Sequence, residues 1–191
     1  MDDAQSRREN DAPLYTAKHD DAPRLLASDK GSNVIGCTVT IARQREELYT
    51  YWRDFSNLPR FMDNVVRVDL LDERRSRWVV KAPAGTVEWD SEIVDERDGE
   101  FIEWTSVAGA DVPNSGRIEF RDAPGDRGTF VTAIIDYDPP AGMIGKLIAK
   151  MFQREPAIQA RRDLRRFKQL METGEIATAA RNRRQYEEET A

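Results

Sequence analysis

The most constraining feature of this sequence is a long helical pattern that follows a run of short strand-like segments. The helical pattern extends from Pro140 to Gly174, and most of the strand-like segments lie between Val65 and Tyr137. A sheet with one apolar face and a single amphipathic helix bury their apolar surfaces most directly against each other. The sequence therefore predicts an α+β domain in which one antiparallel sheet grips one long C-terminal helix.

Alternation of apolar and polar residues marks the strands of this sheet. It is clearest at residues 87–93, where Trp89 and Ile93 alternate with acidic residues, as in a half-buried strand. The Asp98-Gly99 pair predicts a hairpin, and no helical segment separates the strands, which indicates an antiparallel meander. The same parity predicts an inward face that carries Val66, Val68, Leu70, Trp78, Val80, Ala82, Trp104, Ile118, Phe120, Val131, Ala133, Ile135 and Tyr137.

The residues before the meander predict one strand and two short helices. Val34–Ile41 is β-branched and bounded by turn residues, and Arg45–Trp52 has helical spacing. Pro59 is expected to open the second helix, which would carry Phe61 and Met62. The complete order is strand, two short helices, six strands and one long helix, or about seven strands in a helix-grip fold.

Proline and glycine divide and end the long helix. Pro156 predicts a break near residues 153–155, because proline removes a backbone donor and clashes with the preceding turn. Gly174 is the predicted C-cap. The segment after the break is expected to anchor the fold through the apolar residues Ile158, Leu164, Phe167, Leu170 and Met171.

Length and composition favour one domain with polar tails. The chain has 191 residues, and we expect a disordered leader at 1–32, a folded domain at 33–174 and a disordered tail at 175–191. The net charge of −6 argues against nucleic-acid binding. A single cysteine, Cys37, allows no intrachain disulfide, and no apolar run reaches the roughly 20 residues of a membrane span. A cytoplasmic protein is the expectation.

The histidine count limits the chemistry. The chain has one histidine, His19, and it lies in the predicted leader. The folded part therefore lacks the imidazole of Ser-His and Cys-His catalysis and of most zinc sites. No metal-ligand spacing or phosphate-binding loop is present either, so the sequence predicts no metal site and no cofactor.

Three motifs carry a family resemblance: Phe55-Ser-Asn57-x-Pro59-x-Phe61, Tyr137-Asp-Pro-Pro-Ala-Gly142 and Asp163-Leu-x-x-Phe167-Lys168. With the element order, they make residues 34–173 resemble the SRPBCC superfamily of START-like, helix-grip domains. The most similar branch is the polyketide cyclase/dehydrase and coenzyme Q-binding START group. The resemblance implies a cavity between sheet and helix that takes lipids, quinones, sterols, plant hormones or polyketides. It implies a reaction much less firmly, since a minority of members are enzymes.

The residues expected around such a cavity are mostly aromatic or aliphatic. Large aromatic walls line many small-molecule sites, although the same rings could instead fill a solid core. A gate at the cavity mouth is one interpretation of the short helices, and packing on the sheet edge is the other. The predicted ligand-binding residues are Trp78, Trp89, Trp104, Phe120 and Tyr137 on the sheet, Trp52, Phe55 and Phe61 at the gate, and Ile144, Leu147, Ile148 and Met151 on the helix.

Residues 143–152 also have the composition of a membrane-surface helix, apolar on one side with lysines opposite. A transient contact with anionic lipid during ligand exchange is therefore one hypothesis. The favoured interpretation is that the apolar side covers the sheet and the basic residues face solvent, because the acidic total dilutes the positive charge. The oligomeric state is left open.

Catalysis is the less favoured function. Four strand carboxylates, Glu88, Asp90, Glu92 and Glu103, have outward parity, so no paired acid and base are predicted in the cavity. Only Tyr51, Arg117 and Tyr137, with Asp136 beside it, remain as remote acid–base candidates. The leading hypothesis is a non-catalytic carrier or sensor of a hydrophobic small molecule. The alternatives are a polyketide cyclase, aromatase or dehydratase, and an interaction module with a filled core.

Overall fold

A computed structural model describes residues 33–82, 85–110, 112–137 and 156–177 of the chain. The described part contains one antiparallel sheet, two α-helices and two short 3₁₀ helices. The strands are β1 (Asn33–Ile41), β2 (Val65–Leu70), β3 (Arg75–Ala82), β4 (Gly85–Arg97), β5 (Phe101–Ser106), β6 (Asn114–Asp122) and β7 (Thr129–Tyr137).

The spatial order of the strands is β1-β7-β6-β5-β4-β3-β2. Strands β2 to β7 therefore form the predicted meander, and β1 joins its far edge by pairing antiparallel with β7. Two β-bulges interrupt the ladders, between Val65 and Arg67 and between Ile93 and Asp95. Bulges bend a strand and increase its twist, and the sheet is curled, with a concave face that receives the C-terminal helix.

The bulge in β2 corrects the predicted inward face of that strand. Only Val68 of the predicted three is buried, whereas Val66 and Leu70 are 44% and 53% exposed. Val66 is the residue that the bulge leaves unpaired, so it drops out of the alternation. Leu70 is exposed at the end of the edge strand. Strict alternation therefore overstated the apolar face of β2.

The helices are α1 (Arg45–Arg53) and α2 (Pro156–Thr173), with 3₁₀ helices at Phe55–Arg60 and Pro124–Asp126. The sequence predicted that the second helix opens at Pro59, and this prediction is wrong. The helix opens at Phe55, because the Asp54 carboxylate caps it by accepting a hydrogen bond from the Ser56 N–H at 3.1 Å. Pro59 lies inside this helix. Neither described α-helix combines the length and the hydropathy that a bilayer-spanning helix requires.

Helix α2 ends as predicted. Gly174 has φ = 78° and donates its N–H to the Leu170 carbonyl at 2.8 Å, which is the geometry of a glycine C-cap. The helix is described from Pro156 onward. Residues 138–155, with the predicted wall residues Ile144, Leu147, Ile148 and Met151 and the segment 143–152, lie outside the described residues.

The anchoring role of α2 is confirmed for three of its apolar residues. Leu164, Phe167 and Leu170 are buried, and Met171 packs against the same core. Ile158 was predicted to join them but is 52% exposed, and the small Ala160 occupies the buried stripe instead. Residues 160, 163, 164 and 167 share one helix face by their three- and four-residue spacing, and Ile158 lies off it.

The helices meet around the Phe167 ring. Its centroid lies 4.8 Å from that of Phe61 and 5.0 Å from that of Trp52. This cluster joins α1, the end of the first 3₁₀ helix and α2 in one core with the concave face of the sheet. Aromatic pairs at these separations stabilise a core beyond the area that they bury, so this end of the fold is closed.

Candidate ligand-binding pocket

A cavity of about 170 Å³ lies between the concave face of the sheet and α2. All four tryptophans of the chain line it: Trp52, Trp78, Trp89 and Trp104. The remaining lining is mostly aliphatic, with a few amides and one carboxyl group. It consists of Met62, Asn64, Val65, Val80, Val112, Asn114, Ala133, Ile135, Gln159, Ala160, Asp163 and Leu164.

Two of the tryptophans form a stacked pair on the sheet. Trp78 and Trp89 lie directly opposite each other on β3 and β4, and their rings are 6.2 Å apart with an interplanar angle of 9°. Each indole N–H donates to a serine hydroxyl two residues away, Ser76 or Ser91, at 3.1 Å. Because these local bonds satisfy both polar N–H groups, the wall offers the cavity apolar ring surface.

The third sheet tryptophan lies over a glycine. Trp104 on β5 is opposite Gly116 on β6, and a Cβ atom built on Gly116 would fall 2.3 Å from Cζ2 of the indole. Only glycine leaves room for a ring this close to the neighbouring strand. Gly116 belongs to β6 and shapes the cavity wall.

Asp163 on α2 supplies the one carboxyl group in the described lining. It is 9% exposed, and both of its oxygens accept hydrogen bonds from Nε2 of Gln159 at 3.1 Å. Burial raises the pKa of Asp163 to about 7, against the lowering effects of Gln159 and the Arg166 guanidinium; the Asp63 carboxylate adds to the rise. At neutral pH this side chain is therefore present in both protonation states.

A polar clamp next to Asp163 holds the loop that follows the first 3₁₀ helix. Arg166 on α2 pairs with the Asp63 carboxylate, and Nζ of Lys81 on β3 donates to the Asp63 carbonyl at 2.7 Å. The clamp ties residues 61–64 to both α2 and the sheet. It thereby sets the position of Met62 and Asn64 at the cavity.

Several predicted site residues lie behind the lining rather than in it. Phe55, Phe61 and Phe120 are at most 3% exposed and belong to the closed core. Phe61 packs on Phe167, and Phe120 meets the Tyr49 ring edge-on at 5.9 Å. They are not part of the described cavity lining, and their contact with a ligand remains a prediction. The side chain of Tyr137, like the wall residues on 138–155, lies outside the described residues.

The remote acid–base candidate Arg117 points away from the cavity. Its guanidinium lies on the convex face of the sheet, 3.6 Å from the centre of the Phe101 ring. It pairs with Glu103 at 2.9 Å and Glu119 at 2.8 Å. Glu103 does have the predicted outward parity, but it is only 8% exposed because this cluster covers it.

The other acid–base candidate, Tyr51, packs against Phe167 at a ring separation of 5.9 Å and is absent from the described lining. Asp163, which does line the cavity, was missed as a site residue. Its sequence signal is position: it is three residues after Ala160 and four before Phe167, in the middle of the buried stripe. The described residues contain no group of three or more His, Cys, Asp or Glu side chains placed to hold a metal ion.

Residues 41–165 match the family model described as polyketide cyclase / dehydrase and lipid transport. The chain belongs to this family. The polyketide cyclase/dehydrase family is part of the SRPBCC superfamily, and the seven-stranded curled sheet with its C-terminal helix is the START-like, helix-grip fold. The fold predicted from the sequence is thus confirmed.

The chain is also similar to proteins of known sequence or structure. An uncharacterized 17.2 kDa protein from Streptomyces lincolnensis is 29% identical over 125 residues, which cover 65% of this chain and 79% of that protein. The crystal structure of DR_A0006 from Deinococcus radiodurans is 41% identical, covers 74% of this chain and 99% of its own, and gives a TM-score of 0.61.

The Zhui aromatase/cyclase from Streptomyces sp. R1128 is similar in fold. It is 13% identical, covers 76% of this chain and 99% of its own, and gives a TM-score of 0.59. At this identity the likeness concerns the fold alone. The polyketide cyclase/dehydrase fold is compatible with either hydrophobic ligand binding or cyclisation chemistry.

Proposed function

We propose that this protein binds a hydrophobic small molecule in the cavity between its sheet and α2, as a carrier or sensor without catalysis. The observation that carries the proposal is the convergence of all four tryptophans on one cavity. Small-molecule sites are lined mostly by hydrophobic and aromatic side chains, with a few polar groups among them. Two of the four, Trp52 and Trp78, also belong to the buried core, beside phenylalanine side chains such as Phe61, Phe120 and Phe167.

The size and shape of the cavity indicate the kind of ligand. A cavity of about 150 Å³ accepts a benzene ring, and the cavity here measures about 170 Å³. The stacked Trp78 and Trp89 rings form a flat wall. A planar molecule of one or two rings, or the ring end of a larger quinone or polyketide, fits these dimensions.

Native mass spectrometry of gently purified protein tests the proposal. We expect an added mass of a few hundred daltons at most, on the order expected for a drug-sized ligand, that disappears under denaturing conditions and is identified by extraction into organic solvent. Protein that carries no compound and takes up no planar aromatic compound on titration would refute the proposal.

A cyclase or dehydratase is the second candidate, and Asp163 is the observation that favours it. A carboxyl group with a pKa of about 7 in an apolar cavity is suited to donate or accept a proton near neutral pH. This hypothesis predicts that a short poly-β-ketone is converted to a dehydrated ring product, and that Asp163→Asn abolishes the conversion while retaining binding. Binding of such a compound without turnover would leave the carrier function alone.

Three further properties, the cellular location, the domain boundaries and the membrane contact, are predicted from the sequence only. We retain as predictions the cytoplasmic location, the folded boundaries at 33–174 and the transient membrane-surface contact of residues 143–152. A vesicle co-sedimentation assay with and without anionic lipid tests the last of these. If residues 143–152 contact lipid, Lys146→Glu together with Lys150→Glu reduces sedimentation with anionic vesicles.

A further inference from the structure

The described cavity lining contains one titratable side chain, Asp163, among tryptophans, aliphatic residues and uncharged amides. Its carboxyl group accepts hydrogen bonds from Nε2 of Gln159 and from the backbone N–H of Asp63. Nδ2 of Asn114 is committed elsewhere, since it donates to the Val112 carbonyl at 2.9 Å. In the hydrogen bonds that the described residues make with this carboxyl group, Asp163 thus always accepts and never donates.

The energetic cost of this arrangement differs between the ionised and the neutral form of Asp163. An ionised Asp163 needs only donors, but it would leave a charge in an apolar cavity whose described lining holds no cation. Arg166, the charged neighbour on α2, is paired with Asp63 from the facing loop. A neutral Asp163 instead has an O–H group that requires an acceptor, because a buried donor without one is costly.

We propose that Asp163 is the specificity-determining residue of the pocket, and that its carboxylic acid donates a hydrogen bond to a carbonyl oxygen of the ligand. The cavity then selects planar apolar ketones and quinones over hydrocarbons of the same shape and over amines. This inference rests on the proposed binding function. It adds the chemical group that the ligand presents to α2.

The neutral state that the donor role requires is supported independently by the burial of the group. Burial raises the pKa of Asp163 to about 7 although Gln159, Arg166 and the Asp63 N–H all favour the charged form. The acid is therefore protonated at pH 6 and ionised at pH 8.5. As the pH rises from 6 to 8.5, the preference for a carbonyl compound over a hydrocarbon must therefore weaken, and the affinity for a cation must increase.

Three compounds with one ring frame test the inference: indane, 1-indanone and 1-aminoindane, which differ only in a methylene, a carbonyl or an ammonium group. Their dissociation constants are measured at pH 6 and pH 8.5 by calorimetry and by tryptophan fluorescence, which reports on the cavity because all four tryptophans line it. We expect wild-type protein at pH 6 to prefer indanone over indane by roughly tenfold or more, the scale of one hydrogen bond in a desolvated site.

Variants of Asp163 separate its chemistry from its volume. Asp163→Asn retains a donor that does not titrate, so the preference for indanone should be equal at both pH values. Asp163→Leu removes the donor, so the ratio of the two dissociation constants should fall to about one while indane binds as well as before. In the control Trp89→Leu, both compounds should weaken by the same factor, because the wall contacts the shared ring.

The outcomes distinguish the inference from the function on which it rests. If none of the three compounds binds, the proposed binding function fails and the inference falls with it. If indane and indanone bind equally well to the wild type, or if Asp163→Leu keeps the preference, only the inference is overturned. Tightest binding of aminoindane at pH 6 would also overturn it. Should Asp163→Leu fail to fold, Asp163→Asn and the wild-type pH dependence still decide.

Discussion

Gly116 lies so close beneath Trp104 that the indole occupies the space of a side chain on the neighbouring strand. A Cβ atom at position 116 would come within 2.9 Å of three ring atoms, the nearest at 2.3 Å. The two backbones are held by the β5–β6 ladder, so an added methyl group must displace the indole or disturb the ladder. The position of this tryptophan, and with it one wall of the cavity, depends on the absence of a methyl group.

We therefore expect Gly116→Ala to destabilise the protein by about 1–3 kcal/mol, the usual cost of overpacking a well-filled site. Chemical denaturation measures the change, and a shift in tryptophan emission reports the displaced ring. Arg121→Ala, on an exposed position of the same strand, is the matched control and should leave both unchanged. Equal stability of the two variants would show that Trp104 moves freely.

Substitutions at Trp89 and Phe120 test the difference between a residue that lines the cavity and a residue that lies in the core. Trp89 lines the cavity, whereas Phe120 is 1% exposed behind it. Trp89→Leu should weaken binding of a planar aromatic compound by roughly tenfold, through the loss of ring contact. Phe120→Leu should cost about 1–3 kcal/mol of stability with an unchanged dissociation constant. Calorimetry measures the change in binding, and denaturant unfolding measures the change in stability. If Phe120→Leu weakened binding and Trp89→Leu did not, the site would not be the cavity described here.

The burial of Asp163 predicts an inverse dependence of stability on pH. Its folded-state pKa of about 7 lies above the ordinary value of 3.8, so the native state holds a proton that the unfolded state has released. The free energy of unfolding should fall as pH rises from about 4 to 7, by up to about 1.4 kcal/mol per pH unit from this group. Above pH 7 this contribution becomes constant.

Asp163→Asn removes that dependence, so its stability relative to wild type should increase between pH 5 and 7 in denaturant titrations. Asp72 provides the opposite control. Hydrogen bonds from Arg75 and from the Arg74 and Arg75 backbone lower its pKa to about 2. Both states of Asp72 are ionised above pH 5, so Asp72→Asn should differ from wild type by a constant amount there. If the stabilities of the two variants relative to wild type changed with pH in the same way, the raised pKa of Asp163 would be contradicted.

The ion pairs of Arg117 with Glu103 and Glu119 stabilise the fold and do not bind the ligand, and substitution of Arg117 tests this. Arg117→Ala leaves the carboxylates of Glu103 and Glu119 without their partner, and the side chains of Arg117 and Glu103 are only 12% and 11% exposed. We expect a loss of about 3 kcal/mol, since an uncompensated buried charge remains. Arg77→Ala, which breaks the more exposed pair with Asp90, should cost less than about 1 kcal/mol. Ligand binding should be unaffected in both, and a binding defect in Arg117→Ala would reopen its role as a site residue.

The sheet could be predicted from sequence because its signal is local. Trp89 and Trp104 each stand between two polar residues, and strand geometry turns such alternation into one shared face. The closing glycine of α2 is local in the same way, since Gly174 caps the helix through the Leu170 carbonyl four residues earlier.

The features that the sequence concealed depend on neighbours distant in the chain. Glu103 is outward in parity but buried, because Arg117 on the adjacent strand β6 covers it. The β2 bulge exposes Val66, and nothing in the alternation of that segment marks it. The spacing of Asp163 from Ala160 and Phe167 places it in the apolar stripe of α2, but its burial depends on the sheet that faces this helix.

The pairing of the first strand with the last has a consequence for how the chain is made. Thr38 and Thr132 share a hydrogen bond at 2.9 Å across 94 residues of sequence, and in the described sheet β1 is hydrogen-bonded to β7 alone. On the ribosome, β1 emerges early but finds its partner only after β7 has been synthesised. Such long-range closure makes folding slow, on the order of milliseconds to seconds. Until then the waiting strand presents an unpaired edge, so chaperone availability should affect the yield of folded protein more than it would for a helical protein of this size.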